Sequence, residues 1–326
     1  MMSKRALVTG GAGFIGSHLL RSLSESGSYD LLVSADVGEP RFVVPGVQYK
    51  VCDVRKPIPD DTCPGATEIY NLAAVHTTPG HEDWEYYWTN VLGAVHACDF
   101  ARRMSVDRMA FASSIAVYGP SEEPKDEYTV PAPEIAYGKS KLCGEKIHEL
   151  WQAERPDIRK LVVVRPAVIY GYQERGNFAR LARLLRSGKF IYPGRTDTVK
   201  ACGYVTDLVR SICFMLDRPE RKITYNFAHQ QRYTTKDVCH AFASVAGYRP
   251  PRLVFPIWLM LAGGAAFEIL AKLGIGTSIN RARVMKLYRS TNIVPRILEE
   301  MKFPYQFDLE ASLSDWRATS PSGQFD

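Results

Sequence analysis

The sequence has few of the features that mark membrane-spanning proteins. One apolar run, residues 253–267, holds fifteen residues without a charged side chain before Glu268 interrupts it. A membrane-spanning helix needs about 20 apolar residues, so the sequence predicts no transmembrane segment. We expect Pro256 to begin a helix that covers the core or caps a substrate cleft. Attachment of this run to the surface of a membrane stays open, because it is so apolar.

Cysteine pairs and metal-ligand spacings are also missing. The seven cysteines form no C-x-x-C pair, are odd in number and fall largely inside apolar segments. This pattern indicates reduced thiols and no metal site. The first predicted strand begins within a few residues of Met1, so we expect no signal peptide and a cytoplasmic protein.

No excess of one charge dominates the chain. There are 41 Lys and Arg residues and 35 Asp and Glu residues, a net charge of +6, and the basic residues form no long run. The hydrophobic content of 46% is that of an ordinary globular protein. This balance does not favour nucleic acid as a partner, although it suits an anionic ligand.

A glycine-rich turn lies between a predicted strand and a predicted helix. Gly10, Gly13 and Gly16 follow the apolar residues 6–8 and precede leucines at helical spacing. The N-terminus of such a helix presents N–H groups and a partial positive charge to a pyrophosphate. Gly10 allows the turn, Gly13 lets a phosphate approach the backbone, and Gly16 allows close contact between helix and strand. The turn therefore predicts a dinucleotide site.

An acidic residue follows at the spacing that such a site requires. Asp36 ends the second apolar strand, twenty residues after Gly16. A carboxylate at this place can accept hydrogen bonds from the adenosine ribose and repels a 2′-phosphate, which favours NAD over NADP. Arg41 keeps NADP open as an alternative.

Strand signals alternate with helical signals up to Pro166, and this alternation indicates a parallel sheet. We predict an α/β fold, a Rossmann-type doubly wound parallel sheet with a smaller, mostly helical C-terminal substrate lobe. Residues 1–166 are expected to form the NAD-binding domain, with residues 201–228 returning to it. Residues 167–200 and 229–326 are expected to form the lobe over the C-terminal ends of the strands.

Tyr137 and Lys141 are four residues apart on a predicted helix, so their side chains share one face. A nearby ammonium favours the phenolate. A tyrosine base that works near neutrality needs its pKa lowered by about 3 units, or roughly 4 kcal/mol. Lys141 and an oxidised nicotinamide ring are the expected sources of that shift.

Ser114 ends the predicted fifth strand, at the same edge of the sheet as the glycine turn. Its hydroxyl can share a proton with Tyr137 and a substrate oxygen, and Ser113 is the rival candidate. Asn90, on a predicted helix, is a candidate to hold a water molecule behind Lys141.

Five motifs together resemble the extended short-chain dehydrogenases/reductases and, within them, the NAD-dependent nucleotide-sugar epimerase/dehydratase group. The resemblance covers residues 4 to about 316. The motifs are TGGAGFIG at residues 9–16, NLAA at 71–74, SSIAVYG at 113–119, YGKSK at 137–141 and RPAVIYG at 165–171.

The resemblance implies a role for each matching residue. Tyr137 is expected to be the acid and base, Lys141 to bind the nicotinamide ribose, and Ser114 to bind the reacting sugar oxygen. The expected cofactor-binding residues are Gly10, Gly13, Phe14, Ile15, Gly16, Asp36, Asp53, Val54, Leu72, Ala73, Ala74, Asn90, Tyr137, Lys141 and Pro166. The expected substrate-binding residues are Thr77, Ser114, Tyr137, Asn177, Lys200 and Arg283.

Within the lobe, the resemblance places Asn177 and Lys200 at a diphosphate, with Arg283 or Arg289 as a second cation. Lys200 stands where these epimerases usually carry arginine, and lysine makes a point contact where arginine makes a fork.

The resemblance implies a UDP-sugar 4-epimerase that works by reversible hydride transfer through a 4-keto intermediate. Ile115 and Ala116 stand where the 4,6-dehydratases carry an acidic pair, so dehydration is not expected. The apolar residues 255–274 resemble the 3β-hydroxysteroid dehydrogenase branch instead. A 4-keto-sugar reductase, an oxidoreductase of that branch and a non-catalytic NAD-binding module stay as alternatives. A homodimer through the helices near Tyr86 and Ala136 is expected from the resemblance alone.

Overall fold

The computed structural model describes residues 3–78, 80–272 and 281–326, except for the side chains of residues 265–272 and 282–283. Within these ranges the chain forms thirteen strands. They are β1 (Arg5–Thr9), β2 (Leu31–Asp36), β3 (Val47–Val51), β4 (Glu68–Asn71), β5 (Arg108–Ala112), β6 (Ser121–Lys125), β7 (Lys160–Pro166), β8 (Val168–Tyr170), β9 (Tyr192–Pro193), β10 (Cys202–Tyr204), β11 (Lys222–Phe227), β12 (Val254–Phe255) and β13 (Thr291–Ile293).

Ten α-helices alternate with these strands in the same ranges. They are α1 (Phe14–Glu25), α2 (Asp83–Arg103), α3 (Ala136–Ala153), α4 (Asn177–Arg186), α5 (Val205–Leu216), α6 (Thr235–Ala246), α7 (Ile257–Lys272), α8 (Arg281–Tyr288), α9 (Arg296–Glu300) and α10 (Leu309–Thr319).

The main sheet has seven parallel strands in the order β3-β2-β1-β4-β5-β7-β11. This arrangement confirms the predicted Rossmann-type α/β fold. The strand order reverses between β1 and β4, and open α/β sheets bind their ligands beyond the C-terminal ends of the strands at such a point. Gly10 follows β1 and Leu72 follows β4, so the glycine turn lies at this position.

Helices cover both faces of the sheet. Leu7 of β1 lies in one buried apolar cluster with Phe100 of α2 and Trp151 of α3. Its neighbour Val8 lies in another, with Leu19 of α1. Successive side chains of a strand point to opposite faces, so a sheet covered on both faces needs strands that are apolar throughout. This requirement explains the unbroken apolar runs in the sequence.

The smaller part of the molecule is mostly helical, as predicted. Helices α4, α6 and α10 enclose a second core, and β8, β9 and β6 pair with β10, β12 and β13 as short parallel ribbons. The bulkiest members of this core are aromatic, namely Tyr170, Tyr192, Phe242 and Trp316. Strand β11, from residues 201–228, pairs with β7 of the main sheet. The division of the chain at residue 166 remains a prediction.

Two strands end earlier than predicted, and this difference shapes the site. The apolar run of residues 69–74 predicts a fourth strand that ends at Ala74, and the fifth strand is expected to end at Ser114, whereas β4 ends at Asn71 and β5 at Ala112. Ser114 instead caps the 3-10 turn Ile115–Tyr118. The residues beyond both strands are therefore loop residues at the ligand-binding edge.

Among the described helices, none is both long enough and apolar enough to cross a membrane. All seven cysteines are free thiols.

Candidate active site

The glycine turn leaves no room for side chains. Gly10 has a positive φ of +72°, and a Cβ there would lie 2.6 Å from the backbone nitrogen of Ala73. A Cβ on Gly16 would overlap the carbonyl oxygen of Gly10. Helix α1 begins at Phe14, and its N-cap, Gly13, offers no side-chain cap to the first N–H groups. This open helix N-terminus fits the diphosphate of a dinucleotide, as the sequence predicted.

Asp36 is held beside this turn by three backbone N–H groups. Its carboxylate accepts hydrogen bonds from Ala12 at 3.1 Å, from Val37 at 2.7 Å and from Gly38 at 3.1 Å. A carboxylate offers about four acceptor positions, so one remains for a ribose hydroxyl. Asp36 thus lies beside the glycine turn with an acceptor position to spare, and its contact with a ribose remains a prediction.

The segment predicted to flank the adenine begins next to Asp36, because the N–H of Cys52 donates to the Asp36 carbonyl at 2.9 Å. Arg55 pairs with Asp53 at 2.8 Å and holds the pKa of that carboxyl below its usual value. Val54 is buried beneath Gly93 of α2.

Asn90 connects the loop after β4 to helix α3. Its amide accepts from the Val75 N–H at 2.9 Å, donates to the Val75 carbonyl at 3.1 Å, and donates to Ser140 Oγ at 2.9 Å. Ser140 in turn donates to the Tyr137 carbonyl at 2.8 Å. Asn90 thus joins this loop to helix α3, and the water-holding role suggested by the sequence remains a prediction. The carbonyl of Thr77, farther along the loop, accepts from Tyr86 at 2.6 Å.

Tyr137 lies half-buried in the first turn of α3, beside the side chain of Ser114. Burial raises the pKa of Tyr137, and the neighbouring Ser114 hydroxyl opposes that rise. The sequence predicts a pKa lowered by Lys141 together with an oxidised nicotinamide ring; in the protein alone burial raises this pKa, because removal from water penalises the phenolate.

Lys141 is buried one turn farther along α3. Its ammonium lies 4.5 Å from the centre of the Phe111 ring. Burial lowers the pKa of Lys141 to about 7, against the attraction of Glu145. The protonation state of Lys141 therefore responds to any charge brought near it around neutral pH.

The structure separates the two serine candidates. Ser113 donates its hydroxyl proton to Glu145 inside the core. Ser114 instead accepts from the Ala116 N–H at 3.1 Å and lies beside Tyr137, where its hydroxyl acts to lower the pKa of the phenol. Only Ser114 is therefore in contact with the proposed acid and base.

Sequence reasoning missed a buried ion pair behind these residues. Arg165 donates to both carboxylate oxygens of Glu145, at 2.9 and 2.7 Å, and to the Tyr118 hydroxyl at 2.6 Å. The side chains of Arg165 and Glu145 are 8% and 2% exposed. Glu145 stands four residues after Lys141 on the same helix, and this spacing was the signal available in the sequence.

The candidate diphosphate residues lie in the lobe, and they differ in exposure and in their hydrogen-bond partners. Asn177 is the exposed first residue of α4. Lys200 donates to the carbonyls of Lys286 at 2.8 Å and Arg289 at 2.5 Å, and burial lowers its pKa to about 8. The Arg283 side chain lies outside the described residues.

Arg289 makes two hydrogen bonds of 3.0 Å to Glu134, three residues before Tyr137. Its position beside the catalytic helix suits a substrate-binding residue, but its guanidinium already has a carboxylate partner. Pro166 ends β7, at the cofactor edge of the sheet.

Comparison with known proteins agrees with this geometry. Residues 6–228 match the model of the NAD dependent epimerase/dehydratase family, and the chain belongs to this family. This assignment confirms the predicted family and the prediction of NAD as its cofactor.

The relatives extend over most of the chain. An N-acetyl-alpha-D-glucosaminyl-diphospho-ditrans,octacis-undecaprenol 4-epimerase of Escherichia coli O157:H7 is 28% identical, over 89% of this chain and 87% of its own length. A UDP-glucose 4-epimerase of Vibrio cholerae is 26% identical, over 82% and 83%. The UDP-glucuronic acid 4-epimerase of Bacillus cereus, solved with NAD, has a TM-score of 0.74 at 18% identity, over 95% of this chain and 96% of that one.

Proposed function

We propose that this protein is an NAD-dependent 4-epimerase of diphosphate-linked sugars. The observation that carries the proposal is the placement of Tyr137 beside the Ser114 side chain and one helical turn from the buried Lys141, at the same sheet edge as the glycine turn. Relatives whose names state 4-epimerisation of sugars on UDP or on a lipid diphosphate support it.

The chain's own residues have distinct parts in this reaction. Ser114 orients the C4 hydroxyl of the sugar, and Tyr137 removes its proton and later returns one. Lys141 binds the nicotinamide ribose and, when protonated, stabilises the phenolate of Tyr137. The glycine turn and Asp36 would hold NAD, which would supply the reversible hydride transfer at C4.

The burial of this group of side chains assists the proton transfer. Because Tyr137 is half-buried and Lys141 is 2% exposed, charges that develop at the phenol interact in a medium of low polarity. Asn90 and Ser140 hold the backbone of Tyr137 in place. The proton acceptor is therefore fixed before substrate binds.

In the lobe, we assign the diphosphate to Asn177 and Lys200, with Arg283 or Arg289 as a second cation. A diphosphate that reaches Arg289 would exchange with the Glu134 carboxylate. Two carriers of the diphosphate are to be distinguished. UDP is the first, and a polyprenyl lipid is the second, favoured by the E. coli relative and by exposed apolar side chains near α8.

The main alternative is a net reductase or an oxidoreductase of the 3β-hydroxysteroid dehydrogenase type with the same three residues. An epimerase is expected to be purified with NAD bound and to need none added. Consumption of NAD(P)H in proportion to product would favour the alternative.

The decisive variant is Tyr137→Phe. We expect it to keep NAD binding and to lose at least about 100-fold in turnover, the contribution of a general acid and base. Anomeric proton NMR with a panel of nucleotide sugars and a polyprenyl-diphosphate N-acetylglucosamine measures the product. Tyr128→Phe, at a tyrosine 64% exposed, is the matched control. A Tyr137→Phe enzyme with most of its activity would refute the assignment.

We also propose a homodimer through α2 and α3, which pack against each other. Their exposed apolar side chains include Trp84, Trp88 and Leu150. Sedimentation at several protein concentrations tests this, and a monomer at all of them would refute it. The cytoplasmic location remains a proposal from the sequence.

A further inference from the structure

Five large apolar side chains are exposed within a short stretch of the lobe. Leu253, Val254, Phe255, Trp258 and Leu259 are 68%, 48%, 42%, 66% and 38% exposed. They belong to β12, the first turn of α7 and the residue before β12, and are here called the apolar face. Single exposed apolar residues are common on proteins, but a contiguous group marks a binding surface.

The same part of the chain carries the net positive charge of the protein. Residues 238–298 contain eight Lys and Arg residues and a single acidic residue, Glu268. The other 265 residues contain the remaining 33 basic and 34 acidic residues. Arg249 and Arg252 lie immediately before the apolar face and are exposed. The apolar face therefore lies in a strongly basic segment of an otherwise balanced chain.

The apolar face is connected to the proposed active site through α8. The carbonyls of Leu253 and Phe255 accept from Tyr192 and Gly194, each at 2.9 Å. A Cβ on Gly194 would lie 2.8 Å from the Tyr288 ring at the end of α8 and 3.0 Å from Ile257 of α7. Strand β9, which pairs with β12 of the apolar face, is thus packed directly against α8.

The other contacts of α8 lead to the site. Lys286 donates to Thr78 Oγ1 at 3.0 Å, in the loop that follows β4. Arg289, just beyond the helix, bonds Glu134 ahead of Tyr137. Helix α8 and the residue just after it therefore contact the loop after β4 and the segment ahead of Tyr137, as well as strand β9 beside the apolar face.

We propose that the apolar face docks on an anionic membrane surface, with its side chains among the acyl chains and the neighbouring Arg249 and Arg252 against the phosphate headgroups. Helix α7 has 16 residues, which suits a helix in the plane of the interface rather than one across it. Trp258 is of the residue type enriched at this depth, and basic residues near an anionic leaflet add attraction. Charge complementarity thus selects an anionic bilayer as the occupant.

This docking gives the proposed active site access to a particular substrate class. This substrate class rests on the proposed function. It is a sugar that is epimerised at C4 and whose diphosphate is esterified to a membrane lipid. A lipid-borne diphosphate lies at the headgroup level, and α8 contacts both the docked face and the site loops. The docking itself does not depend on the reaction.

The test measures sedimentation of the full-length protein with vesicles of equal parts phosphatidylglycerol and phosphatidylcholine, and with vesicles of phosphatidylcholine alone. We expect binding to the anionic vesicles that weakens as salt is raised. The double variant Trp258→Asp/Leu259→Asp is expected to lower the partition coefficient at least about tenfold, because carboxylates are costly in the acyl region. Val130→Asp, at a valine 82% exposed in the loop before α3, is the control and should bind as the parent does.

A second pair of variants tests the charge. Arg249→Glu/Arg252→Glu should also weaken binding at least about tenfold, since two attractive charges near the surface become repulsive. Arg221→Glu/Lys222→Glu makes the same change in net charge at the start of β11, the sheet edge opposite the ligands. These control substitutions should lower the affinity much less.

Several results would overturn the docking proposal. In the first two, the parent protein binds neutral and anionic vesicles equally, or binds neither. In the third, both double variants, Trp258→Asp/Leu259→Asp and Arg249→Glu/Arg252→Glu, bind as strongly as the parent does. Loss of dimer mass in Trp258→Asp/Leu259→Asp without vesicles would show that a second copy covers the face. Binding of NAD by each variant reports on folding.

Activity on soluble and lipid-linked substrates separates the two proposals. A protein that binds vesicles but epimerises no sugar keeps the docking and refutes the proposed function. A protein that epimerises UDP-sugars but does not bind vesicles keeps the proposed function and refutes the docking. Full activity on lipid-linked sugar in the Trp258→Asp/Leu259→Asp variant, with vesicle binding lost, would refute the substrate class alone.

Discussion

The cofactor edge of the sheet and the substrate lobe hold their candidate binding groups in different ways. At the cofactor edge, the glycine turn has an uncapped helix N-terminus, and Asp36 is oriented by three backbone N–H groups. In the lobe, Lys200 bonds two carbonyls and Arg289 bonds Glu134. The cofactor side is therefore preorganised for a ligand, whereas the proposed diphosphate-binding cations of the lobe would have to exchange a protein partner for a phosphate. Four variants test this difference.

The largest effect is expected from Glu145→Gln, behind the cofactor edge. It leaves the buried guanidinium of Arg165 without its carboxylate, and breaking a buried ion pair costs about 3–5 kcal/mol of unfolding free energy. Urea unfolding measures the loss. Glu149→Gln, on the same helix at a residue paired with exposed Lys146, should change stability by less than about 1 kcal/mol. Similar losses for both variants would argue against a preorganised ion pair.

The next effect is expected from Gly10→Ala. The methyl group would collide with the Ala73 backbone, in addition to the cost of a positive φ. The dissociation constant for NAD should rise about 100-fold, or about 2.7 kcal/mol. Gly27→Ala is the matched control, since Gly27 also has a positive φ of +62° but open space around it. Equal effects on NAD affinity, measured by calorimetry, would contradict the steric account.

A third prediction concerns the pH dependence that Lys141 contributes. Its folded pKa, about 7, lies below the unfolded value near 10.5. The unfolded state therefore binds more protons between these pH values, and stability rises with pH there. Relative to Lys141→Met, the parent protein should gain roughly 1 kcal/mol per pH unit between about pH 7.5 and 9.5. Unfolding curves at several pH values measure this gain in stability. The substitution Lys146→Met, at an exposed lysine of the same helix, should leave the pH dependence of the stability unchanged. A flat difference across this range would contradict the buried position of Lys141.

The smallest effect is expected from Lys200→Met in the lobe. It removes one point contact to the diphosphate, so KM should rise about fivefold, close to 1 kcal/mol, while kcat and NAD affinity stay the same. Lys200→Arg should restore most of the substrate affinity, because arginine keeps the positive charge. If Lys200 only held the end of α8 in place, this recovery would not be required. Steady-state kinetics measure both. A fall in kcat with KM unchanged would place Lys200 outside the diphosphate site.

The sequence predicted the cofactor side better than the lobe for a physical reason. The turn at Gly10 and the pair Tyr137–Lys141 depend on spacing within one strand–turn–helix unit or one helix, and local geometry makes such spacing readable. The Glu145–Arg165 pair joins α3 to β7, and Lys200 reaches α8 across 86 residues. Such pairs depend on the packing of whole elements, which no local pattern reveals.

By itself, the sequence determined the α/β fold, the family and the candidate residues of the dinucleotide site, because periodicity and glycine placement act over a few residues. Only the tertiary structure decided that Ser114 rather than Ser113 contacts Tyr137, and that burial raises the pKa of that tyrosine. It also decided that the apolar residues near Trp258 remain at the surface. Exposure and pairing are properties of the packed chain, since they depend on which distant elements cover a side chain.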